Sequence, residues 1–268
     1  MLQMTAGNTL AADLAHQDYS AKERSRIEKM VPRFLVPMLD KSWDILSIGC
    51  GAGTDVRTLR KLGYKAWGLD PSRLPDFGPN DNDRSYFRVC AMEDLPFGDQ
   101  RFDFAFALDV IEHVGCRNFG TVVTDGTADL RKRFIESCLK VLKPGGMLVL
   151  TTSNKLFPID PGHWHKYHWL GKLCAKCEKF GLSIPWSKRN FLCSLTDIRT
   201  IVAAIDVDHE FDVAALPVST YPSFTGSRKP AARIATSALK LLDGPAMRAS
   251  PLAPLLVIGI RRRAAPTL

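Results

Sequence analysis

The sequence predicts an α/β fold: a doubly wound, mostly parallel sheet with helices on both faces and an added insertion in its C-terminal half. Three observations carry this expectation. Short apolar runs that read as strands alternate with helix-length segments from residue 44 to residue 152. The first strand, Asp44 to Ile48, runs directly into the glycine turn Gly49-Cys50-Gly51-Ala52-Gly53 and then into a helix from Thr54 to Leu62. The second strand ends on an acid, Asp70, which lies 21 residues after Gly49.

The remaining elements follow in order. Residues 1 to about 18 read as poorly ordered, and Ala21 to Leu39 reads as helix broken by Pro32 and Pro37, with Ile27, Met30, Phe34 and Leu35 as its apolar stripe. Ala66 to Leu69 is the second strand, Tyr86 to Val89 a weak third, and Phe102 to Leu108 the fourth. A helix is expected from Leu130 to Leu142, with Phe134, Cys138, Val141 and Leu142 on one side. Lys143-Pro144-Gly145-Gly146 reads as a turn, and Met147 to Thr152 as the fifth strand. Beyond Asn154 the periodicity weakens. Helices are expected at Tyr167 to Gly181, Leu195 to Ala204 and Pro230 to Leu242, with strands at His209 to Ala214 and Pro254 to Ile260. The chain therefore divides into a helical lead (1–40), a core (41–155), and an insertion with C-terminal strands that complete the same sheet (156–268).

Composition bounds the function classes. With 268 residues, 46% hydrophobic and 24% charged, the chain has enough apolar material for one large globular core. No apolar run is long enough to span a bilayer, and no basic segment followed by an apolar one opens the chain. A cytoplasmic location without a transmembrane segment is the resulting expectation. The seven cysteines are scattered; Cys174 and Cys177 form an isolated C-x-x-C, which reads as reduced thiols on a helix. Most of the net charge of +8 sits in residues 221–268, where eight Lys or Arg face the single acid Asp243. That segment reads as a solvated basic face rather than a nucleic-acid surface.

The chemistry begins at the glycine turn. Glycines let the backbone turn sharply and approach a ligand with no Cβ in between. A ligand there lies over the carboxyl end of the first strand, at the switch point of the sheet. Asp70 is placed to accept hydrogen bonds from both hydroxyls of a ribose, so turn and acid together define an adenosine-type cofactor site. A dinucleotide site wants G-x-G-x-x-G, and the third glycine of that pattern falls on Thr54.

The spacing here is instead G-x-G-x-G, which resembles the first motif of class I S-adenosylmethionine-dependent methyltransferases. Trp67-Gly68-Leu69-Asp70-Pro71-Ser72 is similar to that family's second motif. Glu93-Asp94-Leu95-Pro96-Phe97 followed by Phe102-Asp103 resembles its D-L-P-F…F-D segment, and Leu142-Lys143-Pro144-Gly145-Gly146 its L-K-P-G-G turn. The matches occur in the family's order across roughly residues 44 to 155. The resemblance implies a Rossmann-like fold and S-adenosyl-L-methionine as cofactor. It implies that Gly49, Gly51 and Gly53 line the methionine part, that Asp70 holds the ribose, and that Met92 and Glu93 border the adenine. Leu108 and Asp109 would sit near the sulfonium. The chain departs from the family at Ser47, where an acid is usual, and at Ala91, where Asp is frequent. The first departure concerns the aminoacyl end of the cofactor and the second the adenine amine.

On the acceptor side, Leu108-Asp109-Val110-Ile111-Glu112-His113-Val114 resembles the acid-x-x-Glu-His segment of two metal-dependent O-methyltransferase groups, the ubiquinone-pathway enzymes and the small-RNA terminal 2′-O enzymes. In those groups two acids and a His hold a divalent ion. The same Glu-His also occurs in methyltransferases without metal, and no metal is assigned to this chain. His113, His163 and His165 are the candidate catalytic residues, because both connections in which they lie leave the carboxyl edge of the sheet. A neutral histidine there can take a proton from an acceptor hydroxyl near pH 7. Thr151 to Asp160 is similar to a segment of bacterial methyltransferases associated with surface glycans and secondary metabolites. Residues 115–130 and 161–193 are expected to build the acceptor pocket or its lid.

The expected activity is O-methylation of a small molecule or glycan. An RNA methyltransferase is the second reading, with the basic C-terminal segment in its favour and only Tyr221 and Phe224 as aromatics there. A cofactor-binding protein that no longer catalyses is the third.

Overall fold

The computed structural model describes residues 25, 27–71, 85–91, 95–117, 122–157, 192–218 and 243–264. The lead before residue 25, the helices expected at Tyr167 to Gly181 and Pro230 to Leu242, and the Cys174–Cys177 pair lie outside the described residues.

Helical backbone runs from residue 27 to residue 38. The two prolines do not end it; they change its hydrogen-bond spacing. The Val36 amide reaches back to Val31 O across Pro32, giving a wide turn over Val31–Leu35, and Val36–Met38 is a tight turn closed by the Leu39 amide on Val36 O at 3.1 Å. The strands and helices that follow are β1 (Asp44–Ile48), α1 (Thr54–Lys61), β2 (Lys65–Asp70), β3 (Phe87–Val89), β4 (Phe102–Leu108), the short pair β5 (Cys116–Arg117) and β6 (Val122–Val123), α2 (Thr127–Lys140), β7 (Leu142–Ser153), α3 (Leu195–Ile205), β8 (Phe211–Ala215), α4 (Pro245–Arg248) and β9 (Leu255–Arg262).

The seven-stranded sheet has the order β3-β2-β1-β4-β7-β9-β8. The strands from β3 to β7 pair in parallel, whereas β9 runs antiparallel to both β7 and β8. The chain builds outward from β1 through β2 to β3, then returns to place β4 on the other side of β1. The order thus reverses between β1 and β4, and a crevice opens beyond their carboxyl ends. The doubly wound, mostly parallel sheet read from the sequence is present.

Alternation along the strands splits the core between two faces. Ile45, Phe104, Phe106 and Val149 pack with Val31, Phe34 and Leu35 of the lead and with Val56 and Leu59 of α1. Leu46, Ala105, Leu148 and Leu150 pack with Phe134, Ile135 and Cys138 of α2 and with Ile198 and Val202 of α3. Each fully buried Val, Leu, Ile or Phe side chain contributes roughly 1.5–3 kcal/mol. Helices therefore cover both sides, as a parallel sheet requires.

Two local expectations need correction. Lys143-Pro144-Gly145-Gly146 is not a turn but part of β7, where the register against β4 jumps from Phe102↔Leu142 to Phe104↔Met147. The extra residues bulge out of the ladder. Gly145 takes φ +82°, and a Cβ on Gly146 would sit 2.8 Å from Lys143 O and 3.1 Å from Asp103 O. The Lys143 ammonium ties the bulge down, at 2.8 Å from Asp103 and 3.1 Å from Asp44. Helix α2 begins at Thr127, three residues before the expected Leu130, because its start is anchored from outside the helix. The Thr127 hydroxyl reaches Gly115 O at 2.9 Å and Thr124 O at 2.6 Å, contacts that apolar periodicity does not register.

At the far edge, two of the three closing arginines are paired. Arg262 meets Glu210 at 2.9 Å and Arg263 meets Asp212 at 2.8 Å, so part of the C-terminal positive charge holds β9 to the neighbourhood of β8. Among the described residues no helix is long and apolar enough to cross a membrane.

Candidate functional site

The carboxyl ends of β1, β2 and β4 frame the crevice. The turn after β1 is held by its neighbour: the Gly49 and Cys50 amides both donate to Leu69 O, at 2.9 and 3.0 Å. Gly49, Gly51 and Gly53 all take positive φ, at 72°, 52° and 70°. Two of these glycines answer to different demands. A Cβ on Gly53 would meet the Phe87 ring at 2.4 Å, so Gly53 serves the packing of β3 against the helix start. Among the described residues a Cβ on Gly51 would meet nothing within 4 Å, so its backbone faces open space there. The Gly51 amide donates to Asp70 Oδ2 at 2.8 Å, and Asp70 is 9% exposed. Asp70 thus closes the turn as well as bordering it.

A further acid stands behind the turn. Ser47, the last residue but one of β1, donates its hydroxyl to Asp55 Oδ2, and Asp55 Oδ1 accepts from the Val56 amide at 2.8 Å. Both side chains are buried. Burial lifts the Asp55 carboxyl to about 6, with the Ser47 and Val56 hydrogen bonds pulling down and the Asp70 charge pushing up. The sequence motifs do not single out Asp55. The signal available for it is an acid in the first turn of the helix that follows a serine-bearing strand.

Leu108 ends β4 and Asp109 follows it directly. Asp109 adopts φ +56°, a conformation that costs a non-glycine residue free energy, and β7 holds it there. Its amide donates to Thr151 O at 3.1 Å and to Thr151 Oγ1 at 2.9 Å, while the Thr151 hydroxyl lies 3.0 Å from Asp109 Oδ1. Thr151, which the motifs do not single out either, is buried and sits in register with Leu108. Three residues on, Ile111–His113 forms one tight turn that leaves His113 half-buried. Glu112 points inward and is fully buried, and among the described residues neither carboxyl oxygen is in a hydrogen bond of normal geometry. Burial and the neighbouring Asp109 charge raise its carboxyl to about 8, against a downward pull from Thr152 and Arg131. Among the described residues no group of three or more His, Cys, Asp or Glu is gathered for a metal ion.

Met92, Glu93, His163 and His165 lie outside the described residues. The described residues on either side of the two histidines meet at one edge of the sheet. Asn154 bridges to Cys193, the Lys155 amide donates to Cys193 O at 3.2 Å, and Asn154 Nδ2 donates to Ala253 O at 2.8 Å. Residues 154–155 and 193, which flank the two histidines in the sequence, therefore meet at the carboxyl end of β7.

A glycine cradle with open space above Gly51, closed by an acid on the adjacent strand, fits a nucleoside cofactor with an extended tail. Residues 46–150 match the methyltransferase domain family. Sheet, turn and match agree over this stretch, and residues 46–150 form a methyltransferase domain. Over 166 residues the chain is 34% identical to the mitochondrial ubiquinone biosynthesis O-methyltransferase of Rattus norvegicus, covering 52% of this chain and 44% of that protein. Over 191 residues it is 27% identical to the ubiquinone biosynthesis O-methyltransferase of Nitrobacter winogradskyi, covering 60% of this chain and 67% of that one. The matched stretch spans less than half the length of the mammalian relatives. Among solved structures, a Haloferax volcanii methyltransferase determined with a methyltransferase activator shares the fold, with TM-score 0.50 and 15% identity over 98% of this chain and 100% of that one.

Proposed function

We propose that this protein is an S-adenosylmethionine-dependent O-methyltransferase acting on a hydroxyl of a small molecule, with glycan-like acceptors included. The observation that carries the reading is the joined turn, in which Gly51 opens onto the crevice while its amide is fixed by Asp70. The names of the curated relatives support the oxygen acceptor.

In this reading Gly49, Gly51 and Gly53 line the methionine part of the cofactor and Asp70 takes the ribose. Met92 and Glu93 border the adenine, and Leu108 and Asp109 approach the sulfonium. When bound, S-adenosylmethionine supplies an activated methyl group. What the protein adds is alignment of the acceptor oxygen, worth up to about 7–11 kcal/mol in ideal cases. The strained Asp109, clamped by Thr151, fixes the rim of the crevice from which His113 reaches the acceptor. His113 accepts the hydroxyl proton, a contribution of about 10²–10⁴-fold. His163 or His165, which fall between the paired residues Asn154 and Cys193 in the sequence, completes the acceptor side in this reading.

The test is turnover with methyl-labelled cofactor and a pool of small hydroxylated metabolites. The expected product carries label that survives mild alkali, as an ether does and a methyl ester does not. His113→Ala should lower turnover by about 10²-fold or more and leave the affinity for S-adenosylhomocysteine within a few-fold. Equal loss of both would remove His113 from the acceptor side, and alkali-labile label would contradict the oxygen-ether product.

A further inference from the structure

The Ser47–Asp55 pair has no role in the reading above. The two residues stand at opposite ends of the glycine turn, Ser47 on β1 and Asp55 in the first turn of α1, so their hydrogen bond spans the base of the turn. They are 2% and 5% exposed. Asp55 is a buried carboxylate whose partners are a hydroxyl and the next residue's amide, and among the described residues it forms no ion pair. A buried charge without a counter-charge is costly, and such sites are completed by a cation or lose their charge.

The groups around it do not supply that cation. From β2, Asp70 adds a second negative charge. From the turn, the Cys50 thiol is pushed up by burial first and then by Asp55 and Asp70, so it stays neutral. From α1, Arg57 sends its guanidinium to Ala52 O at 2.9 Å and lies 5.6 Å from the Phe87 ring centre. The base of the turn is therefore a region of negative charge under a backbone that faces open space at Gly51. A nucleoside and its ribose are neutral and need no such charge. The amino-acid tail of S-adenosylmethionine ends in an ammonium, which does.

We propose that the Asp55 carboxylate, steadied by Ser47, is the negative charge that selects the α-amino group at the methionine end of the cofactor. Asp55 thereby takes over a task for which the strand position Ser47 offers only a hydroxyl. The inference rests on the cofactor reading above and assigns one residue within it. With the free carboxyl at about 6, the cation should bind in full only above that pH. Binding of an ammonium lowers the carboxyl's own pKa, so affinity falls as pH drops below about 6.

The experiment compares two ligands by calorimetry: S-adenosylhomocysteine, which has the amino-acid tail, and 5′-methylthioadenosine, which keeps the adenosine and sulfur but has no ammonium. Asp55→Asn should weaken S-adenosylhomocysteine roughly 10–100-fold and leave methylthioadenosine within about 2-fold of the wild-type value. Equal weakening of both ligands, or of neither, overturns the assignment. Should Asp55→Asn fail to fold, the wild-type protein decides through a titration from pH 5 to pH 8. The homocysteine ligand should then lose affinity below about pH 6 while methylthioadenosine stays flat; parallel curves overturn it. A wild-type protein that binds neither ligand overturns the cofactor reading itself, and this assignment with it.

Discussion

The backbone amide of Gly51 donates to Oδ2 of Asp70 at 2.8 Å, joining the turn after β1 to the end of β2. Two separate sequence signals, a glycine pattern and an acid 19 residues further on, are thus parts of one structure. The acid does not wait at a distance for a ribose. It already orders the turn over which the ribose would lie.

Substitution of Asp70 should separate those two tasks. Asp70→Ala removes both the acceptor for Gly51 and the charge, and should weaken S-adenosylhomocysteine by about 1.5–3 kcal/mol, roughly 10–150-fold. Asp70→Asn keeps an amide oxygen for Gly51. It should preserve the thermal midpoint while still losing most of the affinity. Calorimetry and a melting curve on each variant check this, and an unchanged affinity in Asp70→Ala would assign the ribose to another residue.

Gly51→Ala and Gly53→Ala should fail in different ways. Both positions have left-handed backbone, which costs a residue with a Cβ about 1–2 kcal/mol. At Gly53 the added carbon also strikes the Phe87 ring at 2.4 Å, so this variant should melt lower than Gly51→Ala. At Gly51 the carbon enters open space, so the larger effect should be on cofactor affinity. Equal melting midpoints for the two variants would contradict the packing role of Phe87.

The Glu112 carboxyl gives stability a pH signature. Its ordinary value is 4.5 and burial raises it to about 8 in the folded protein. Between these values the folded state holds a proton that the unfolded state has released, so stability is full below about pH 4.5 and is lost as pH rises toward 8. Every tenfold gain in proton affinity on folding corresponds to about 1.4 kcal/mol, so the loss is on the order of a few kcal/mol. Glu112→Gln mimics the neutral form and should flatten the fall in unfolding midpoint between pH 5 and pH 8.5. Parallel curves for the two proteins would show that Glu112 is ionised throughout.

Much of the sheet was legible because a parallel strand buried on both faces reads as a continuous apolar run. Asp44–Ile48 and Phe102–Leu108 match the expected boundaries for that reason. The bulge at Lys143–Gly146 was not legible, since Pro-Gly-Gly is equally the grammar of a turn. Only the close approach of Asp103 and Phe102 carbonyls to Gly146 distinguishes the two. The start of α2 depends on Gly115, twelve residues before Thr127, which no local pattern contains. In the candidate site the glycines and Asp70 were legible as motif positions. Asp55 and Thr151 were not, because each acts through a partner on another element, Ser47 in one case and Asp109 in the other.

The most direct measurement is a calorimetric titration of the purified protein with S-adenosylhomocysteine and, separately, with NAD. The G-x-G-x-G turn, with Thr54 in place of a third dinucleotide glycine, predicts one-to-one binding of S-adenosylhomocysteine and no heat from NAD. Saturable NAD binding with none for S-adenosylhomocysteine would contradict the account at its root.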